Sequence, residues 1–318
     1  MRILIHQKGG LGNQLFQYAA GLYYAKKYRA TLEFIKLPDD WAGSYGHPRP
    51  FALSNYCISE PFREGNSWDR LMWTTSMKKK LIVFFAKYVS HTAVWQQPED
   101  DVWTFLPELP ISKSIQCIYL KGYFQAYKYV QEVEQQLRTE LRLREAPSGK
   151  NIETLNEIHS CECAVSLHIR LGDYKVDHGG RSLLPITYYQ RAIQAMNDRL
   201  RNPTYFIFSD EIDFARECLP KFERMVFVDH NNEEAAHEDL RLMSACRHHI
   251  IANSTFSWWG AWLNPNTEKI VFYPDRWFNM NPVQPDLMPP TWRSIATDAD
   301  NKQLRINASQ PQEVSHEA

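Results

Sequence analysis

Short apolar runs alternate with helical patterns through the second half of the chain, and this alternation limits the possible folds more than any other feature. The apolar runs lie at 164–169, 204–208, 225–228, 249–252 and 269–273. Between them, 187–200 and 234–246 repeat apolar residues at the spacing of an amphipathic helix. Thr187 and Gln190 match a capping box at the start of the first of these helices. Strands that alternate with helices favour a parallel sheet with right-handed crossovers. The sequence therefore predicts an α/β fold, with 269–273 as its last strand.

The N-terminal segment predicts a similar unit. Arg2–His6 is a short apolar strand, Gly9–Gly12 is a turn, and Asn13 is placed to cap the helix that follows. A second strand is predicted at Thr31–Ile35. The segment 38–69 is rich in Pro, Gly, Ser and Asn, which is typical of an irregular loop.

The division into domains follows from length and local composition. With about 150 residues per domain as a prior, 318 residues suggest two domains. A helix is predicted at 129–143, and the Pro-Ser-Gly-Lys sequence at 147–150 is the predicted linker. We therefore expect domains at 1–150 and 151–296, followed by a polar, disordered tail at 297–318.

Charge and hydropathy narrow the class of function. The chain has 36 basic and 37 acidic residues, a net charge of −1, so it has no global basic field that would hold a nucleic acid. The first residues are too short an apolar run for a secretory signal, and no apolar stretch is long enough to span a bilayer. A cytoplasmic location is expected. The segment 78–89 joins three lysines to an apolar run, which fits either a core element or a patch that docks on an anionic membrane.

Four loops follow predicted strands, and in open α/β sheets ligands bind at the carboxyl ends of the strands. They lie at 9–13, 170–173, 209–211 and 253–257. In the first loop, Gly10 and Gly12 let the backbone approach a ligand at a helix N-terminus. The same glycines with Glu33 partly match a dinucleotide fingerprint, but Leu15 replaces the third glycine, so the match to NAD(P) or FAD is weak.

The segment from His168 to Asp173 carries the most specific chemistry. On a strand, His168 and Arg170 point to the same face, so two nitrogen donors meet at the mouth of the sheet. A planar guanidinium matches phosphate oxygens, and Asp173 can orient it. The alternative is a buried Arg–Asp pair with a structural role. The loop with Ser254, Thr255 and Ser257 adds hydroxyls at a helix start, which also suits an anion.

Four motifs together resemble one family. They are Gly-Gly-Leu-Gly-Asn-Gln-Leu-Phe-Gln-Tyr at 9–18, His-Ile-Arg-Leu-Gly-Asp-Tyr at 168–174, Phe-Ser-Asp-Glu at 208–211 and Ala-Asn-Ser-Thr-Phe-Ser-Trp-Trp-Gly-Ala-Trp-Leu at 252–263. In this order they resemble the bacterial α-1,2-fucosyltransferases of glycosyltransferase family 11. The resemblance implies a GT-B-like α/β fold, with two Rossmann-like halves whose parallel sheets face a cleft. The first half would be the acceptor side, and the second would bind GDP-fucose.

The resemblance also implies an activity: transfer of fucose from GDP-β-L-fucose to the 2-hydroxyl of a terminal galactose, with inversion and without a metal or other cofactor. The acceptor is expected to be a lipid-linked O-antigen or other surface glycan, handled on the cytoplasmic face of the inner membrane.

Site residues carry over by position in the motifs. Arg170 should hold the β-phosphate of GDP and His168 should contact the diphosphate or the fucose. Asp239 should read guanine, and Asn13 should face donor or acceptor beside the glycines of its loop. The residues expected near the phosphates are Ser254, Thr255, Phe256 and Ser257.

The general base is left open. Asp173 and Asp177 are both candidates, and His178 lies beside the second. Two other functions remain: a nicotinamide oxidoreductase, which leaves His168–Asp173 unexplained, and a non-catalytic carbohydrate-binding protein, which rests on the aromatic content of 13%.

Overall fold

A computed structural model describes residues 1–36, 51–72, 84, 91–171, 183–220, 224–277 and 281–297. The chain forms two compact units. The first comprises Met1–Ala146 with Glu233–His237 and Gln284–Pro289, and the second comprises Pro147–Asn232, Glu238–Val283 and Pro290–Ala318. Segment 78–89, apart from Phe84, lies outside the described residues, as do 298–318 of the predicted tail. Among the described residues, no helix combines the length and hydropathy that a transmembrane span requires.

The first unit contains a parallel sheet with the strand order β3-β2-β1-β5-β4. Its strands are β1 (Arg2–His6), β2 (Thr31–Lys36), β3 (Phe62–Glu64), β4 (Thr92–Gln96) and β5 (Cys117–Lys121). Its helices are α1 (Leu11–Tyr28), α2 (Ser67–Met72), α3 (Tyr127–Glu132) and α4 (Glu134–Glu140). The chain adds β2 and β3 on one side of β1, and β5 and β4 on the other. The order of the strands therefore reverses between β1 and β5, where a ligand crevice is expected.

Helix α1 corrects the predicted cap. It begins at Leu11 with Gly10 as its N-cap, and no side chain caps it. Asn13 is therefore inside the first turn of the helix. The chain turns at Gly9, whose φ of +78° favours glycine, and a Cβ there would lie 2.6 Å from Asn13 Nδ2. This turn starts the helix three residues earlier than the sequence predicts, because the N-cap is Gly10 and not Asn13.

The second unit contains a parallel sheet with the order β11-β10-β9-β6-β7-β8. Its strands are β6 (Ala164–Ile169), β7 (Thr204–Ser209), β8 (Met225–Phe227), β9 (His248–Ile250), β10 (Val271–Pro274) and β11 (Arg293–Ile295). Its helices are α5 (Lys150–Ser160), α6 (Ile186–Asn197), α7 (Ile212–Cys218), α8 (Ala236–Ala245) and α9 (Thr255–Leu263). Here the order reverses between β6 and β9, so the loops after these two strands flank the expected crevice. The predicted α/β class is confirmed in both units.

Four local predictions were wrong. The segment predicted as loop includes β3 and the start of α2, because β3 is held by pairing to β2 and not by an apolar run. The strand β11 follows the one predicted as last, and Val133 interrupts the predicted 129–143 helix with a φ of −123°. In the second unit, α6 begins at Ile186 with Pro185 as its N-cap, so Thr187 is inside the helix and no capping box forms.

Candidate active site

The end of β6 places a neutral histidine beside a cation. Val165, Leu167 and Ile169 pack into the hydrophobic core, so His168 points to the opposite face of the strand. His168 is 4% exposed, and its Nδ1 has no hydrogen-bond partner among the described residues. Burial, and then the charge of Arg170, lowers the pKa of His168 to about 3. His168 is therefore neutral at physiological pH, and Arg170 is the cation at this edge of the sheet.

Arg170 is oriented by Asp210, which directly follows the neighbouring strand β7. Its Nη1 lies 2.8 Å from Asp210 Oδ2, and each side chain is 22% exposed. The other carboxylate oxygen of Asp210 accepts a hydrogen bond of 2.9 Å from the Leu171 backbone N–H. A guanidinium carries five N–H donors, so pairing through Nη1 fixes its plane and is compatible with phosphate oxygens as further acceptors.

The sequence identified the loop that holds Asp210, but it did not predict that Asp210 pairs with Arg170. It assigned the orienting role to Asp173, which lies outside the described residues, as do Asp177 and His178. The choice between these candidate bases stays a prediction.

The start of α9 lies next to His168. The ring centroids of His168 and Phe256 are 5.7 Å apart, which brings the helix N-terminus to the end of β6. Ser254 caps the helix, because its hydroxyl accepts a 3.3 Å hydrogen bond from the Phe256 backbone N–H. Ser257 is buried, and its hydroxyl donates to the Ser254 carbonyl. Both serine hydroxyls thus bond the helix backbone, and Thr255 and Phe256 are the half-buried residues at its start.

Three tryptophans follow this helix start, and all of them are core residues. Trp258, Trp259 and Trp262 are buried. Trp258 and Trp262 each contact Trp259 with ring centroids 5.2 Å apart. The helix whose N-terminus lies next to His168 is therefore held in place by its buried tryptophans.

Asp239 lies on α8, which packs against α9. A Cβ on Gly260 of α9 would lie 2.9 Å from Met243 Cβ of α8, so glycine permits this close approach. Asp239 Oδ1 accepts a 2.7 Å hydrogen bond from Asn231 Nδ2. Burial raises the pKa of Asp239 to about 6, although the Asn231 hydrogen bond opposes the rise.

Asn231 is itself held by a second asparagine. The two side-chain amides of Asn231 and Asn151 bond to each other, at 2.9 and 3.0 Å. Asn151 Oδ1 also lies 2.9 Å from His230 Nε2. The carboxylate of Asp239 is therefore positioned by a network of polar side chains, which the sequence did not reveal.

In the first unit, buried glutamines fix the loops around Asn13. Gln17 Nε2 donates to the carbonyls of Lys8 and Gly122, both at 3.2 Å, and Gln17 Oε1 accepts from the Lys8 N–H at 3.1 Å. Gln125 Nε2 donates to Asn13 Oδ1 at 2.9 Å. The loops after β1 and β5 are thus tied together where the strand order reverses. Gln17 stands in the first motif, but its position in the sequence alone did not assign it this role.

The two glycines that were assigned to the ligand differ in their surroundings. Gly10 precedes α1, and among the described residues beyond its two chain neighbours no heavy atom lies within 4 Å of the position where its Cβ would be. Gly12 is buried inside the first turn of α1. Of the two, Gly10 is the one whose surroundings leave room for a close backbone approach.

The family model described as glycosyl transferase family 11 matches residues 107–293. The chain belongs to glycosyl transferase family 11. It is a glycosyltransferase, as the sequence predicted. This assignment favours glycosyl transfer over the oxidoreductase and the carbohydrate-binding alternatives.

Sequence relatives include two proteins of Escherichia coli. The chain is 30% identical over 301 residues to "O-antigen biosynthesis glycosyltransferase WbnK". This alignment covers 86% of this chain and 94% of that protein. It is 29% identical over 311 residues to an "Alpha-1,2-colitosyltransferase", and this alignment covers 90% of this chain and 96% of that protein. A more distant relative is bovine "Galactoside alpha-(1,2)-fucosyltransferase 1", 23% identical over 194 residues, covering 56% and 52%.

Solved structures confirm the fold. The fucosyltransferase NodZ from Bradyrhizobium matches with a TM-score of 0.53 and 15% identity, over 85% of this chain and 94% of that one. A structure of NodZ α-1,6-fucosyltransferase co-crystallised with GDP matches with a TM-score of 0.52 and 14% identity, over the same shares. The predicted GT-B-like class is therefore confirmed.

Proposed function

We propose that this protein is an inverting α-1,2-fucosyltransferase that transfers fucose from GDP-β-L-fucose to the 2-hydroxyl of a terminal galactose in O-antigen synthesis. The observation that carries the proposal is the ion pair of Arg170 with Asp210 just after β6, where His168 contacts Phe256 at the start of α9. The names of the relatives support the α-1,2 linkage and the O-antigen.

The reaction requires stabilisation of negative charge on the leaving group. The acceptor oxygen attacks the anomeric carbon as the bond from that carbon to the diphosphate breaks, so the electron pair of the broken bond passes to GDP. Arg170 and the backbone N–H groups at the start of α9 are donors that would receive this charge without reorganisation. The neutral His168 can donate or accept one hydrogen bond to the diphosphate or the sugar.

Asp239 recognises the guanine of GDP. A carboxylate accepts hydrogen bonds from the ring N–H and the exocyclic amino group of guanine, which adenine cannot offer in that pattern. The hydrogen bond from Asn231 leaves the carboxylate a second oxygen as an acceptor. The proton of the acceptor hydroxyl passes to a general base, for which Asp173 and Asp177 stay the candidates. The mechanism uses no metal.

A second donor has a specific observation in its favour. The α-1,2-colitosyltransferase aligns over 90% of this chain. Colitose is fucose without its 3-hydroxyl, so the same phosphate and guanine contacts serve either nucleotide sugar. The donors differ in one hydroxyl, and a direct comparison distinguishes them.

The deciding experiment incubates the purified protein with GDP-fucose, GDP-colitose or GDP-mannose and a panel of β-galactosides, with and without EDTA. Mass spectrometry gives the sugar transferred, and NMR gives the linkage and the anomeric configuration. Transfer of fucose to O2 of galactose with inversion, in EDTA, is expected. Preference for GDP-colitose would establish the second candidate. Transfer from GDP-mannose alone would refute both, and loss of transfer in EDTA would refute the metal-free mechanism.

A further inference from the structure

Four polar side chains of the second unit form a chain of hydrogen bonds that ends on the carboxylate of Asp239. His230 and Asn231 follow β8, Asn151 is the second residue of α5, and Asp239 is the fourth residue of α8. The bonds join His230 Nε2 to Asn151 Oδ1 at 2.9 Å, Asn151 Nδ2 to Asn231 Oδ1 at 3.0 Å, and Asn231 Nδ2 to Asp239 Oδ1 at 2.7 Å. Three segments that are distant in sequence therefore meet at one carboxylate.

The direction of these hydrogen bonds is fixed. Asn151 Oδ1 is an acceptor, so Nε2 of His230 carries the hydrogen of the bond between them. Asn231 Nδ2 donates to Asn151 Oδ1 as well, at 2.9 Å, so its two N–H groups are divided between Asn151 and Asp239. A reversed amide would place the Asn231 oxygen against a carboxylate oxygen, and two acceptors cannot bond each other. The network therefore presents a donor to Asp239 and fits the ionised form of that carboxylate.

The carboxylate of Asp239 keeps one oxygen for a ligand. Asp239 is half-buried, and among the residues that the structure describes its side chain accepts from Asn231 alone, through Oδ1. Burial raises its pKa to about 6, so the carboxylate is ionised at about pH 8. A partly buried carboxylate with one oxygen bonded costs free energy, which a ligand with N–H donors would recover.

We infer that Asn231 is a positioning residue that sets the base specificity of the nucleotide site, by fixing the plane of the Asp239 carboxylate so that it accepts from both the ring N–H and the 2-amino group of guanine. Two hydrogen bonds from adjacent donors require that plane to be fixed, whereas a single hydrogen bond does not. Asn151 and His230 act on the base through Asn231, which they hold in turn. The inference rests on the proposed function, in which Asp239 recognises guanine.

Inosine diphosphate (IDP) isolates the second of these hydrogen bonds. Hypoxanthine keeps the ring N–H of guanine and lacks the 2-amino group, so the ratio of the Kd of IDP to the Kd of GDP measures the contribution of the 2-amino contact. Calorimetric titration of each nucleotide into the protein at about pH 8, without acceptor, gives both constants. The wild-type ratio is expected to be about 10 to 100, because the hydrogen bond is made to a charged group.

Asn231→Ala removes the donor to Asp239 and should lower this ratio by about fivefold or more, because GDP binding weakens more than IDP binding. Asn197→Ala is the matched control, since Asn197 is an exposed asparagine of the same unit whose Oδ1 accepts a 2.7 Å hydrogen bond from the Tyr205 hydroxyl. It also removes a side-chain hydrogen bond, so it should lower the stability and leave the ratio unchanged. Asn151→Ala leaves Asn231 and Asp239 in place and should lower the ratio by a smaller factor, which provides the test if Asn231→Ala does not fold.

The binding measurement separates this inference from the proposed function. If the ratio falls in Asn231→Ala but no sugar is transferred from any GDP-linked donor, the role of Asn231 stands and the proposed activity fails. If fucose is transferred but Asn231→Ala keeps the wild-type ratio, the proposed function stands and the role of Asn231 is refuted. A wild-type protein that binds GDP and IDP equally would also refute it, and so would an equal fall of the ratio in Asn197→Ala.

Discussion

Asp239→Asn is expected to stabilise the protein while weakening its affinity for GDP. The substitution keeps the size of the side chain and an oxygen that can accept from Asn231 Nδ2. It removes the charge that burial disfavours, and it removes the ability to accept two hydrogen bonds from guanine. A residue held for stability alone would not show these opposite effects.

The magnitude follows from the pKa. In the folded protein the pKa of Asp239 is raised from its usual 3.8 to about 6, mainly by burial. At roughly 1.4 kcal/mol for each pH unit, the ionised carboxylate therefore costs about 3 kcal/mol of folding free energy. Because the folded pKa is the higher one, the folded protein holds its proton more tightly. The wild-type stability is thus fully present below about pH 4 and declines as the pH rises through about 6.

Urea denaturation of the wild type and Asp239→Asn from about pH 4 to pH 8 measures this difference. The two proteins should be equally stable at the acidic end, and the variant should gain up to about 3 kcal/mol at the alkaline end. Calorimetry at about pH 8 should show GDP binding weakened by a factor of about 10 to 100, since a hydrogen bond to a charged group contributes about 1.5–3 kcal/mol. A stability difference that does not change with pH, or unchanged GDP affinity, would refute the reasoning.

Three further predictions concern the same unit. Arg170→Lys should lower kcat by a factor of about 100 or more in a GDP-release assay, because a single ammonium cannot replace the planar guanidinium. The control is Arg216→Lys at an exposed ion pair, and its kcat should stay near the wild-type value. Gly260→Val should lower the free energy of unfolding by about 1–3 kcal/mol in urea titrations, because its first added carbon already lies within 2.9 Å of a neighbouring methionine; wild-type stability would show that α8 and α9 are not in close contact. Tyr188→Phe should cost about 1–2 kcal/mol, because the buried hydroxyl donates a 2.6 Å hydrogen bond to the Ile251 carbonyl, and an unchanged urea midpoint would contradict that contact.

The parts of the fold that could be predicted from the sequence are those with continuous local patterns. The central strand β6 is buried along its whole length, and four of its six residues are apolar, so its position could be predicted from the local sequence. The edge strands β3 and β11 are three residues long and partly exposed, and pairing to a neighbour defines them. The predicted helix caps at Asn13 and Thr187 were wrong for a related reason. Gly9 and Pro185 fix where α1 and α6 begin before any side chain contributes.

The candidate site could be predicted as a set of loops but not as a set of contacts. His168 and Arg170 were identified because burying polar or charged residues near a strand costs free energy unless they have a partner. Their partners come from distant segments: Asp210 follows the next strand, and Asn231 precedes the helix of Asp239.

The pairing of β1 with β5 determines when the first unit can form during synthesis. Arg2 lies opposite Cys117 and Ile5 lies opposite Leu120, so β1 receives one of its two neighbours only after about 110 further residues have been translated. Pairings between segments so far apart in sequence form slowly, because a long loop must close first. Until then the nascent chain exposes one edge of the apolar strand β1, and we expect this segment to be where a ribosome-associated chaperone binds.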